Sequence, residues 1–204
     1  MKNTILLFLS LVVISSCRKP VDEVQLSTII DVSDSNTSIV IGDSLTEGIM
    51  YEELDIMLQG DCYYYFDINQ DSINDIAFII ESGGEETSSG GVARVVELHD
   101  SLIFLGFTDS NDLQSLDYSE ETSCDDFNDN LPCQGVFTTH YASAEQPQIV
   151  YNGPWQDMGV KYFAFKLYDT TNENWSLGWF EVESSGGITI NVLSMGVIQN
   201  TTCE

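Results

Sequence analysis

The stretch YFAFKLYDTTNENWSLGWFEVESSGGITINVL, residues 162–193, decides the fold class of this chain. Apolar residues occupy every second position in its first and last segments: Phe163, Phe165, Leu167, Ile188, Ile190 and Val192. Successive side chains of a strand point to opposite faces of a sheet, so a period of two is typical of an antiparallel strand with one face buried. Turn-forming residues separate the segments. The stretch therefore predicts three strands, at 162–168, 177–182 and 188–193, of which the first and the last have the alternation of half-buried antiparallel strands.

The same pattern of short apolar runs between Gly, Ser, Asn and Asp clusters extends over the rest of the chain. It predicts further strands at 26–32, 38–41, 50–58, 63–68, 76–81, 92–99, 102–107 and 136–141. Outside the first residues the only predicted helix is a single turn near residues 111–116, within a long polar segment at 109–134. We therefore expect an all-β fold, an antiparallel two-sheet sandwich of jelly-roll type.

The composition indicates a folded and strongly acidic protein. Hydrophobic residues make up 43% of the 204 residues, which argues against global disorder. The 33 Asp and Glu against 6 Lys and Arg give a formal net charge of −27. A field of this sign repels nucleic acid and attracts cations, so we expect no nucleic-acid partner.

The first residues have the pattern of an export signal. Lys2 is followed by an apolar run at 5–14 that is too short to span a bilayer, and then by small residues before Cys17. An ordinary signal peptide with an incidental cysteine would have the same apolar run. We expect residues 1–16 to be a removable signal and residues 26–204 to form one domain.

The end of this segment, Ile14-Ser15-Ser16-Cys17, resembles the lipobox of bacterial lipoproteins. The resemblance implies cleavage before Cys17, followed by lipidation of its sulfur, with palmitate among the attached chains, and of its new amino group. Residues 17–25 would then tether the domain to the membrane. Arg18 stands where an Asp would imply retention in the inner membrane. We therefore expect a protein anchored in the outer membrane by lipid, either periplasmic or surface-exposed.

Four further cysteines remain in the chain: Cys62, Cys124, Cys133 and Cys203. An even number of cysteines in an exported protein predicts two disulfides, for which three pairings exist. We favour Cys124 with Cys133, because the segment between them is turn-forming and closes a short loop. Cys62 would then pair with Cys203.

An acidic segment between two predicted strands has the spacing of a cation-binding loop. Its oxygen ligands would be the side chains of Asp67, Asn69, Asp71 and Asp75 and the main-chain carbonyl of Ile73. Ca²⁺ takes six to eight oxygen ligands, and this spacing lets them converge. The alternative is a solvated acidic turn without metal.

The segment resembles, over about nine residues, the Asp-x-Asn-x-Asp calcium loops of dockerin, thrombospondin-type and FG-GAP repeats. It departs from the EF-hand pattern at Ser72, where Gly is usual, and at Phe78, where a bidentate Glu is usual. The resemblance implies a structural Ca²⁺ ion that rigidifies a β-hairpin turn. Its expected Kd is on the order of 10⁻⁴ to 10⁻³ M, as in extracellular modules.

A second motif has a catalytic appearance. Residues 41–48, Ile-Gly-Asp-Ser-Leu-Thr-Glu-Gly, resemble the Gly-Asp-Ser-Leu block of the SGNH esterases, which implies Ser44 as a nucleophile. The Asp-x-x-His of that family is missing, because neither His99 nor His140 has an Asp three positions earlier. The alternating helices of that family are missing as well. We therefore expect that this protein is not an enzyme. The alternative is an esterase that uses Ser44 as its nucleophile.

The aromatic residues offer a possible ligand surface. Trp155, Trp175, Trp179 and residues 63–65 would either form a stacking platform for sugars or belong to the core. Residues 162–190 also resemble the closing strands of secreted bacterial β-sandwiches of unknown activity that carry an Asp-x-Asn-x-Asp loop. Our leading hypothesis is a non-enzymatic, calcium-stabilised envelope lipoprotein that binds or adheres to a glycan or another envelope component.

Overall fold

The structure, a computed structural model, describes residues 38–83, 88–99, 101–106, 112–127, 135–143, 150–156, 158–170, 173–185, 188–201 and 203. Residues 1–16, Cys17, the tether at 17–25 and the predicted strand at 26–32 lie outside the described residues. The described strands are β1 (Ser38–Val40), β2 (Ile49–Leu58), β3 (Cys62–Phe66), β4 (Ile76–Gly83), β5 (Ser88–Glu97), β6 (Leu102–Phe104), β7 (Glu121–Ser123), β8 (Val136–Ser143), β9 (Val150–Asn152), β10 (Gly159–Asp169), β11 (Asn174–Ser185) and β12 (Thr189–Thr201).

The strands form two five-stranded antiparallel sheets and one two-stranded pair. Sheet I has the order β2-β12-β11-β10-β6, sheet II has the order β3-β4-β5-β8-β9, and β1 pairs with β7. The prediction of an all-β, antiparallel two-sheet sandwich is confirmed. The jelly-roll connectivity is not confirmed, because β3-β4-β5 and β10-β11-β12 are runs of chain neighbours that pair within one sheet.

The main core lies between the inner faces of the two sheets and consists largely of phenylalanine rings. Phe78 of β4 lies 5.5 Å from Phe180 of β11 and 6.0 Å from Phe163 of β10, measured between ring centroids. Phe137 of β8 lies 5.8 Å from Phe163. Rings from both sheets therefore interdigitate, which fixes how the sheets pack.

A second core covers the outer face of sheet I. Its members are Ile39, Ile41, Leu105, Leu116, Cys124, Phe127, Tyr162, Ala164, Leu177, Trp179 and Ile198. The β1–β7 pair supplies the covering layer together with Leu105, Leu116 and Phe127. The prediction that β10 is half-buried is therefore wrong, since Ala164 and Lys166 on its outer face are 0% and 5% exposed.

Two further predictions of local structure are corrected. Leu113 forms a β-bridge with Gly106, and Leu116 forms one with Tyr162, so residues 112–116 are extended and not helical. The short strands β7 and β9, of three residues each, were not predicted. Each is held by the neighbouring strand with which it pairs.

The predicted disulfide pairing is wrong. Cys124 bonds to Cys203, with 5.4 Å between the Cα atoms and a separation of 79 positions in sequence. Cys124 opens the 3-10 helix Cys124–Asp126 directly after β7, and Cys203 follows the end of β12. Cys62 is buried in β3, and Cys133 lies outside the described residues. The disulfide therefore fastens the covering layer to sheet I.

Candidate functional site

The predicted calcium loop connects β3 to β4. Phe66 and Ile76 are cross-strand partners, and the Asp75 N–H donates to the Phe66 carbonyl at 2.7 Å, so the two strands form a hairpin with residues 67–75 as its turn. The Asp67 carboxylate accepts N–H bonds from Asp71 at 3.1 Å and from Ser72 at 2.7 Å. The main chain of the turn is thus wrapped around the first acidic side chain.

Asn69 and Asp71 also accept main-chain hydrogen bonds within the turn. The Asn69 amide oxygen accepts the Asp71 N–H at 3.1 Å, which is also the N–H that Asp67 accepts. The Asp71 carboxylate accepts the Ile73 N–H at 2.8 Å. Ser72 has a φ of 71°, so the left-handed conformation that usually selects glycine at this position is present and costs roughly 1 kcal/mol.

Asp75 closes the loop from inside the protein. Its side chain is 2% exposed, and its Oδ2 accepts the Ile68 N–H at 2.6 Å. Burial raises the pKa of Asp75, and the negative charges of Asp67 and Asp71 raise it further. A cation in the loop would relieve this repulsion.

The oxygen donors of the loop fit a hard cation such as Ca²⁺ in chemical type. In the part of the chain that the structure describes, no three or more His, Cys, Asp and Glu side chains are grouped so that they could hold a metal ion. The loop oxygens accept backbone N–H bonds in this arrangement. Carboxylate and amide oxygens keep further lone pairs when they accept one such bond, so these bonds and cation ligation are compatible.

The Gly-Asp-Ser-Leu motif forms the turn between β1 and β2. Asp43 accepts N–H bonds from Leu45 at 2.8 Å and from Thr46 at 3.3 Å, together with the Thr46 hydroxyl. The Thr46 hydroxyl and the Leu45 N–H lower the pKa of Asp43. The Asp43 carboxylate therefore stabilises the turn by accepting hydrogen bonds from the residues that follow it.

Ser44 is exposed on this turn, and among the described residues no hydrogen bond joins its hydroxyl to His99 or to another side chain. The side chain of His140 lies outside the described residues. The antiparallel sheets differ from the alternating strands and helices that the esterase resemblance implies.

The predicted aromatic platform divides into two groups. Trp155 and Trp179 are 0% and 1% exposed and belong to the core, and Trp175 is partly buried beneath Lys166, whose Nζ lies 4.8 Å from a Trp175 ring centroid. Tyr63 and Tyr65 are each 49% exposed on the outer face of sheet II. The exposed rings therefore come from β3.

A shallow groove of about 650 Å³ lies beside Tyr63 on the outer face of sheet II. The Tyr63 hydroxyl donates to Glu81 at 2.6 Å, and this hydrogen bond raises the pKa of Tyr63. Arg94 donates to the other oxygen of Glu81 at 3.0 Å, and Asp61 accepts the Ser82 hydroxyl at 2.6 Å. Three further lining residues are glycines without side chains: Gly83, Gly90 and Gly91. The groove thus combines an exposed ring, two carboxylates and an open floor.

A third feature, which the sequence analysis missed, is a cleft of about 460 Å³ between the edge strands β2 and β3. Its lining includes the apolar Leu54 and Met195 and the carboxylate of Glu52. The sequence contained an indication of this cleft. Glu52 alternates with the same period of two as the apolar Met50 and Leu54, so an acidic side chain lies on the inward face of β2.

Among the described residues there is no helix with the length and apolar character that a membrane span requires. Comparison of the chain with known protein families, with curated proteins and with solved structures finds no match.

Proposed function

We propose that this chain is a non-enzymatic, lipid-anchored protein of the bacterial cell envelope whose β-sandwich binds glycans. The observation that carries the proposal is the groove on the outer face of sheet II, where Tyr63 stands beside the carboxylates of Asp61 and Glu81. The flat face of a sugar stacks on an aromatic ring, and carboxylates accept hydrogen bonds from its hydroxyl groups.

The groove is suited to an extended ligand. Tyr65 lies two residues from Tyr63 on the same face of β3 and is equally exposed, so the stacking surface continues past the groove. The glycine floor leaves room for a ligand to approach the backbone of β4 and β5. The hydrogen bond from Tyr63 to Glu81 holds the ring in place before a ligand binds.

We assign the calcium loop a structural role in this function. The loop follows β3 directly, so the ion would hold the β3–β4 hairpin that carries Tyr63 and Tyr65. Asp67, Asn69 and Asp71 supply the oxygen types that Ca²⁺ prefers. The lipid anchor would be Cys17, and the location the outer membrane.

A glycan array with the purified full chain tests the proposal. We expect binding to a polysaccharide class of the envelope or its surroundings, and Tyr63→Ala should weaken that binding roughly threefold to tenfold. Tyr63→Phe keeps the ring and should retain most of the binding. Tyr118→Ala, which removes a tyrosine that is 66% exposed outside the groove, is the matched control.

The proposal fails if no glycan binds, or if Tyr63→Ala and Tyr118→Ala have equal effects. Esterase activity that Ser44→Ala abolishes would replace it with the enzymatic alternative.

A further inference from the structure

The cleft between β2 and β3 lies at the open side of the sandwich. β2 is an edge strand of sheet I and β3 an edge strand of sheet II, and the cleft runs between them. Tyr64 and Phe66 of β3 form one wall, with 4.9 Å between their ring centroids. The opposite wall is β2, and Met195 and Val197 of β12 line the cleft beside it.

Glu52 is the carboxylate on the apolar side of the cleft, whose other end is lined by polar residues of the β3–β4 turn: Asp67, Gln70, Ser72 and Asn74. It pairs across the strands with Met195 and lies on the same face of β2 as Met50 and Leu54, which pack against the main core. Among the described residues no cation or hydrogen-bond donor is bonded to its carboxylate. A partly buried carboxylate in this setting loses water without gaining a partner, which is unfavourable.

The cations of the described chain are engaged elsewhere. Arg94 pairs with Glu81, Lys161 pairs with Asp117, and Lys166 lies over Trp175. Burial raises the pKa of Glu52, as expected for a carboxylate that is short of compensating charge. Charge complementarity therefore points to a cation from outside the described chain.

The walls of the cleft indicate that the rest of the cationic ligand is apolar. Aromatic faces attract cations through the negative charge of their π-systems, and apolar groups pack against rings and thioethers. The volume of about 460 Å³ is within the range of small-molecule sites. The net charge of −27 also raises the local concentration of cations.

We propose that this cleft binds a small organic amine, with its ammonium group at Glu52 and its apolar body against Tyr64 and Phe66. The site is separate from the glycan groove, which lies on the outer face of sheet II, but Asp67 and other residues of the calcium loop line one end of the cleft. The proposal therefore goes beyond the proposed function, and a titration in chelator tests it independently of glycan and calcium binding.

Calorimetric titration of the full chain at pH 8 with two probes of equal size tests the proposal. Benzylamine is a cation at this pH, and benzyl alcohol is its neutral counterpart. We expect saturable binding of benzylamine and at least about tenfold weaker binding of benzyl alcohol, because a hydrogen bond to a charged group accounts for a factor of this size. The titration is done in chelator, so that no ion in the adjoining calcium loop changes the charge of the cleft.

The neighbouring glutamate supplies a matched variant. Glu53 is exposed on the opposite face of the same strand, so Glu53→Gln removes the same charge from the protein without changing the cleft. Glu52→Gln should weaken benzylamine binding at least about tenfold, and Glu53→Gln should leave it unchanged.

Three outcomes overturn the proposal. In the first, benzylamine fails to show saturable binding; in the second, the unmodified chain binds the two probes equally; in the third, the two substitutions have equal effects on benzylamine binding. The comparison of probes needs no variant, so a folding defect of Glu52→Gln leaves the test intact. Any of these results would assign Glu52 to the protection of an edge strand by an inward-pointing charge.

Discussion

Trp179 and Gly196 are cross-strand partners in sheet I, and the indole ring lies over the glycine. A Cβ atom on Gly196 would lie 2.5 Å from the indole Cε2 and Cζ2 atoms, closer than side chains approach one another. Gly196 thus makes room for the largest ring of the second core. The covering layer over sheet I depends on this close approach.

Replacement of this glycine should destabilise the protein. We expect Gly196→Ala to lower the free energy of unfolding by about 1–3 kcal/mol, because the buried indole has to shift in a packed core. Urea unfolding measures the effect. Gly83→Ala is the control, since a Cβ there meets no atom within 4 Å, and it should be nearly neutral. Equal effects at the two positions would contradict the packing role of Gly196.

The Cys124–Cys203 disulfide links two cysteines 79 positions apart in sequence and should be a major stabilising link. We expect Cys203→Ser to lower the free energy of unfolding by about 2–4 kcal/mol, because the unfolded chain regains the freedom that the link removes. Mass spectrometry of peptides from a non-reducing digest checks the pairing. A peptide that links Cys124 to Cys133 would restore the short loop that the sequence predicted and contradict the structure.

The calcium proposal predicts a stability change with a defined size. At 10 mM Ca²⁺ and a Kd of about 10⁻⁴ to 10⁻³ M, binding to the folded state alone adds about 1.4–2.7 kcal/mol. This corresponds to a rise in the unfolding midpoint of roughly 3–10 °C relative to chelator. Differential scanning calorimetry measures it.

A substitution in the loop separates calcium binding from a general salt effect. Asp71→Asn should abolish the rise, since Asp71 would lose a charged ligand while the amide can still accept the Ile73 N–H. Asp125→Asn removes a charge from the exposed 3-10 helix and should preserve the rise. A rise that survives Asp71→Asn would show that the loop is not the binding site.

The lipoprotein proposal predicts covalent lipid on Cys17. Cells that express the full chain should incorporate labelled palmitate into it, and Cys17→Ser should abolish the label, because the sulfur is the acceptor. Cys62→Ser is the control, because it removes the thiol of a different, buried cysteine in β3 and should leave the label unchanged. No label in the unmodified chain would indicate an ordinary signal peptide, and label that persists in Cys17→Ser would place the lipid on another residue.

How far the sequence predicts this fold depends on whether the determining contacts are local. The alternation of Phe163 and Phe165 with Ala164 identifies a strand, and the structure confirms it. The burial of Ala164 depends on the β1–β7 pair and on Leu116, which are distant in sequence and fold back over sheet I. The disulfide has the same origin, because Cys124 belongs to that layer.

The candidate sites divide in the same way. The acidic loop is one continuous segment, so its spacing alone located it, and the structure forms the predicted hairpin around it. The groove joins Tyr63 to Glu81 and Gly91 across three strands, and the cleft joins Glu52 to Tyr64 across two sheets. No local pattern in the sequence brings those residues together.

Tyr162 makes the stability of the protein dependent on pH in the alkaline range. Its buried hydroxyl donates to Glu181 at 3.0 Å, and the other oxygen of Glu181 accepts the Ser194 hydroxyl at 2.5 Å. Burial, the hydrogen bond to Glu181 and the charge of Glu181 together raise the pKa of Tyr162 far above its ordinary value.

A raised pKa in the folded state means that the folded protein keeps a proton that the unfolded chain releases. The stabilising contribution of Tyr162 is complete below about pH 10, the ordinary pKa of tyrosine, and is lost as the pH rises further toward the folded pKa. We expect Tyr162→Phe to be about 1–3 kcal/mol less stable than the unmodified protein at pH 7. The difference should narrow above pH 10, because the variant lacks the ionising group.

Urea unfolding of both proteins at several pH values between 7 and 11 measures this difference. Tyr118→Phe, at a tyrosine that is 66% exposed, should run parallel to the unmodified protein over the whole range. If Tyr162→Phe also ran parallel to it, the alkaline loss of stability would have to arise from other groups. A narrowing specific to Tyr162→Phe would instead establish that the Tyr162–Glu181 hydrogen bond joins β10 to β11 beneath the covering layer only while the phenol keeps its proton.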